Sequence, residues 1–175
     1  MRIEDILPDS LRVTALNAAN IAIEKPALIA EIIKLAFADK GMISTRAANT
    51  IEKIDVLDQS LIQPHYKKII GNLTKFKTEG VKRCLLKIFT KRIASLTEKE
   101  MSLLLDFCFK ALLDNAEAIA IRIYSIDILY SISKKEPGLK NELILVLQEQ
   151  IAISNSLAFQ SKARKILNLL YSKSL

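Results

Sequence analysis

The chain has 175 residues, enough for one domain with a substantial core, and we read 1–175 as a single domain. Half of the residues are apolar, Gly and Pro occur only four times each, and Trp is absent. That is too few turn residues for a sheet protein, and no apolar run approaches the ~20 residues of a membrane span. The net charge of +7 is uneven: 1–66 carries −2, 67–92 carries +8, 93–154 carries −3 and 155–175 carries +4.

Apolar residues recur at helical spacing throughout, so the stops and caps divide the chain. Asp9-Ser10 caps a helix over 10–24, and Pro26 opens a second over 26–38, where it fits the first turn. Lys40-Gly41 ends it, and Ser44 caps a third over 44–57. Residues 58–63 read as a linker, and Pro64 opens a fourth helix over 64–75. Thr78 starts a fifth over 78–94. Thr97-Glu98-Lys99-Glu100 is a capping box, the N-cap hydroxyl and the Glu three residues on serving each other's backbone N–H, and its helix runs to 113. Asn115 caps a seventh helix to 134, Pro137 opens an eighth to 152, and Asn155 caps a ninth to 172.

These helices pair off, and the pairs repeat. Thr45-Arg46-Ala47-Ala48, Val81-Lys82-Arg83-Cys84, Ile121-Arg122-Ile123-Tyr124 and Ser161-Lys162-Ala163-Arg164 stand at intervals of 36, 40 and 40 residues, each in a second helix. A two-helix period of that length, with a basic residue early in the second helix, resembles HEAT and armadillo repeats. The expected fold is all-α: an α–α superhelix of about nine helices, four pairs plus a leading cap helix. One pair cannot bury its apolar stripe alone, and stacking supplies the common core. The resemblance implies that Asp39 with Arg46, and Asp114 with Arg122, form structural ladders between neighbouring repeats.

The stretches 121–132, 142–147 and 158–167, with Asp39-Lys40, Ile43-Ser44 and Arg46-Ala47-Ala48, also resemble a short HEAT-like family of Bacteroidetes-type bacteria. Its members often carry the label adenylosuccinate lyase. Lyases of that kind resemble long helical bundles with a Ser-Ser-x-Met-Pro-x-Lys-x-Asn loop and essential His residues. Here Ser131-Ile132-Ser133-Lys134-Lys135-Glu136-Pro137 lacks the Met-Pro order and the Asn, and His65 is the sole His.

No other chemistry stands out. His65 has no Asp or Glu at helical spacing to make it a general acid or base. Gly-rich phosphate loops, nucleophile elbows and zinc-binding motifs are absent. Cys84 and Cys108 sit inside apolar helical patterns and read as buried reduced thiols, so we expect no metal, no cofactor and no catalytic residue. Without a secretory h-region at the start, the expected location is the cytoplasm.

What remains is charge. Lys67, Lys68, Lys75, Lys77, Lys82, Arg83, Lys87 and Lys91 form a candidate binding surface. Arg83, Lys87 and Lys91 stand four apart on the face opposite Val81, Cys84, Leu85, Ile88 and Phe89. The HEAT resemblance implies that second helices line a concave side, where such a stripe would meet an acidic protein partner. Nucleic acid is the alternative, since the same lysines could neutralise phosphates. This stripe has no exposed Tyr or Trp on which a base could stack.

Overall fold

The structure is a computed structural model that describes residues 3–172, the side chain of Glu4 excepted. Those residues are all-α, with no strand among them. The α-helices are α1 (Arg12–Glu24), α2 (Ala27–Phe37), α3 (Gly41–Leu57), α4 (Gln59–Ile62), α5 (Tyr66–Ile70), α6 (Glu79–Phe89), α7 (Glu98–Leu113), α8 (Ile119–Ser133), α9 (Gly138–Ile153) and α10 (Leu157–Ser172). Short 3₁₀ turns occupy Ile3–Ile6, Gln63–His65 and Ile93–Ser95.

Most stops lie where turn chemistry puts them. Thr97 accepts the Glu100 N–H at 3.3 Å, and the Glu100 carboxylate accepts the Thr97 N–H at 2.9 Å, which completes the capping box. Pro26 and Pro137 stand immediately before α2 and α9.

Several boundaries differ from the sequence reading: α6 stops at Phe89 rather than at 94, and the others follow side chains of unexpected use. The third helix starts at Gly41. Asp39 and Gly41 both adopt positive φ, at 52° and 61°, and turn the chain so tightly that no linker is needed. Ser44 is not a cap but a buried staple: its hydroxyl accepts the Lys40 N–H at 2.9 Å and donates to the Leu35 carbonyl at 2.6 Å.

The stretch 58–63 is helical rather than a linker. Asp58 caps it by accepting the Ser60 N–H at 3.0 Å. Pro64 does not open a helix; lacking an N–H, it falls in the 3₁₀ turn that joins α4 to α5. The seventh helix begins at Ile119 because Asp114 folds 114–118 into a turn, accepting the Ala116 N–H at 2.8 Å. The ninth begins at Leu157, with Ser156 rather than Asn155 accepting the Phe159 N–H, at 3.3 Å.

The chain forms two compact units, residues 1–91 and 92–175. In the first, α3 is the central helix, packed against α1, α2 and α6. Ala47, Ala48, Ile51 and Ile54 of α3 are fully buried there. The first-helix row comprises α2 and the α4–α5 rod. Phe37 meets Phe76 edge-on at 5.3 Å, and the Lys68 ammonium stands 4.8 Å over the Phe37 ring. In the second unit, α8 packs against α7, α9 and α10, and α10 also lies on α9.

Candidate interaction surface

The second helices α3 and α6 lie side by side in the first unit, and Gly80 lets them approach closely. A Cβ at Gly80 would stand 2.6 Å from both Thr45 Cγ2 and Thr45 Oγ1. Glu52 is 6% exposed, yet it carries a carboxylate at this seam. Lys87 of α6 pairs with it at 3.1 Å, and Lys53 is its second ammonium partner. Burial alone would push the Glu52 carboxyl up; the two ammoniums outweigh it and hold the group below its ordinary range.

The eight basic residues therefore do not all share one face. Lys67 and Lys68 belong to α5, in the first-helix row, where Lys68 covers Phe37. Lys75 and Lys77 are exposed in the turn before α6. Arg83 and Lys87 lie on α6 beside α3, and Lys91 is exposed two residues past the end of α6. Lys82 is half-buried. Lys87 is thus committed to a buried acid, whereas Arg83 is exposed. On α3 the same face carries Arg46, Asn49 and Lys53, flanked by Met42 at 60% and Val56 at 54% exposure.

Asp39 and Arg46 each tie one repeat to another, through backbone groups rather than through one another. The Asp39 carboxylate accepts the Lys77 N–H at 2.7 Å and the Thr78 N–H at 3.1 Å, thirty-eight and thirty-nine residues onward. Arg46 reaches an equal distance backward, donating to the Leu7 and Pro8 carbonyls at 3.1 and 2.7 Å. The ladder joins successive turns before α1, α3 and α6. Asp114 closes its own turn, and Arg122 is 2% exposed, with Nη2 donating to Leu112 O at 3.2 Å and to Gln150 Oε1 at 2.8 Å.

The thiols and the imidazole are subdued by their surroundings. Burial pushes the Cys108 thiol up to about 12 against the Ser125 hydroxyl, and raises Cys84 against the pull of the Arg83 guanidinium. Burial, with Lys68 nearby, pushes the half-buried His65 down. Among the described residues no cluster of three His, Cys, Asp or Glu side chains could hold a metal, and no helix is long and apolar enough to cross a membrane.

The paired helices and the turn-to-turn ladder have a counterpart in sequence: the family model described as HEAT repeat domain matches residues 10–170. The chain belongs to the HEAT repeat family. No curated protein and no solved structure matches it. In HEAT terms α3, α6, α8 and α10 are second helices, and the face just described is shared by the second helices of two successive repeats. Sequence reasoning found the α6 half of it. It missed Glu52 and Lys53, because an acid beside a base on an amphipathic helix reads as ordinary solvated charge until the neighbouring helix buries one of them.

Proposed function

We propose that this HEAT chain is a non-enzymatic cytoplasmic adaptor that binds an acidic protein segment through the α3–α6 face. The observation that carries the reading is the charge balance at the seam. Lys53 and Lys87 pair with the carboxylate of Glu52, and the exposed Arg83 of α6 adds a further positive charge, leaving a surplus. Met42 and Val56 add apolar anchors on the same side of α3. Such a mixture suits an acidic segment with a few apolar side chains. A nucleic acid would favour aromatic platforms, and the exposed large apolar residues described in 3–91 are all aliphatic.

The test is a comparative pull-down with quantitative mass spectrometry, using wild type and an Arg83→Glu/Lys91→Glu variant. This pair leaves the Lys87–Glu52 contact in place. The expected result is acidic proteins captured by wild type, lost with the variant and insensitive to nuclease. Capture that survives the charge reversal refutes the face; capture abolished by nuclease makes the module a nucleic-acid binder. The lyase label is tested separately, by AMP and fumarate release from adenylosuccinate, where we expect background; turnover near ~1 per second would establish an enzyme.

A further inference from the structure

A second polar site lies in the unit of residues 92–175. The turn before α8 and the turn before α10 enclose a recess of 450 Å³, lined by Asn115, Ile119, Arg122, Ile153 and Ser154 to Ser156. Its positive character comes from two helix ends and Arg122, against the Glu117 carboxylate that accepts the Ala118 N–H at 3.0 Å at the start of α8. The helices α8 and α10, of 15 and 16 residues, both begin there, and helix N-termini favour anions. Arg122 lines it while being 2% exposed. Its guanidinium is stacked 4.3 Å over the Phe159 ring, and both of its hydrogen bonds leave from Nη2, for neutral oxygens. Nε is buried with no acceptor.

A buried guanidinium with an unanswered N–H is a costly arrangement, and it calls for an oxygen-bearing anion. Asp114 acts on Arg122 only as a nearby charge, and its Oδ1 is occupied by the Ala116 N–H. The recess is larger than one oxyanion requires. Beside its polar lining, Ile153 is 51% exposed, and Leu157, which follows Ser156 in the chain, is 81% exposed. We infer that this recess binds a carboxylate side chain of a peptide whose adjacent residues are apolar, the carboxylate against Arg122, Asn115 and the 154–156 turn, the apolar neighbours on Ile153 and Leu157. The site stands independently of the α3–α6 face, and either can fail without the other.

The experiment titrates the ¹⁵N-labelled full chain with acetyl-Leu-Glu-Leu-amide, acetyl-Leu-Gln-Leu-amide and inorganic phosphate. The Glu peptide is expected to shift the amides of Asn115 and 154–156 and the Arg122 Nε–H, with at least about tenfold weaker binding for the Gln peptide. Asn155→Asp places a like charge at the exposed mouth without touching the core, and should leave the spectrum of the free protein intact while weakening the Glu peptide at least about tenfold. No shift with the Glu peptide, equal binding of both peptides, a response to phosphate alone, or binding unchanged in Asn155→Asp would each overturn the assignment.

Discussion

At the scale of single residues, the decisive feature is which charges are committed. Lys87 reads as equivalent to Arg83 and Lys91, but of these three it is Lys87 that pairs with Glu52. Lys87→Glu would set two carboxylates together at a largely buried point and should lower stability by about 1–3 kcal/mol, discounted for the partial exposure of Lys87. Arg83→Glu should stay within about 0.5 kcal/mol. Urea unfolding of both variants separates the two roles, and equal effects would refute the distinction.

The Glu52 carboxyl is depressed in the fold, so it binds protons less readily than in the unfolded chain. Its contribution is present above the ordinary glutamate value of about 4.3 and is lost as pH falls through the folded value. A Glu52→Gln variant should therefore show a shallower loss of stability on acidification than wild type. Arg122 is another committed cation. Arg122→Ala removes packing on Phe159 and strands Leu112 O and Gln150 Oε1, for an expected loss of about 2–4 kcal/mol; Arg122→Met, which keeps the volume, should cost less, and a thermal melt ranks them.

At the scale of elements, the contact between α3 and α6 depends on a glycine in the first turn of α6. Gly80→Ala gains less than the ~1 kcal/mol of a helix interior and inserts a methyl 2.6 Å from two Thr45 atoms. Overpacking of that kind costs about 1–3 kcal/mol, so the variant should be destabilised on balance. Thr45→Ala removes both clashing atoms and should rescue it, with a coupling of at least about 0.5 kcal/mol in a double-mutant cycle. Additive effects would show that the helices do not meet at this point. The helix interiors and the Thr97 capping box were legible from spacing and local chemistry. The starts of α3, α4 and α8 were not, because Ser44, Asp58 and Asp114 can serve either as caps or as turn residues, and long-range geometry decides which.

At the scale of the whole molecule, the +7 is divided between the units. Residues 1–91 hold fifteen basic and ten acidic side chains, +5, and residues 92–175 hold eleven and nine, +2. Encounter with an acidic surface is governed by local potential rather than by net charge. Arg83→Glu/Lys91→Glu and Arg164→Glu/Lys165→Glu change the net charge equally. The first pair should nevertheless reduce retention on a cation-exchange resin more, most clearly at low salt. Equal retention would mean that the α6 charges do not act together.

The amino-acid order by itself determined the fold class. Apolar spacing at the helical period, sparse Gly and Pro, and a basic residue recurring every 36 to 40 positions leave stacked helix pairs as the arrangement that buries those stripes. Those signals are local or strictly periodic, so they survive in one dimension. The use of each polar side chain was decided by tertiary structure. Asp39 bonds backbone thirty-eight residues ahead, Arg46 backbone thirty-eight residues behind, and Glu52 becomes a buried acid only when α6 brings Lys87 to it. Their roles depend on burial and on partners distant in the chain, and neither quantity is written in the residue itself or in its helical neighbours.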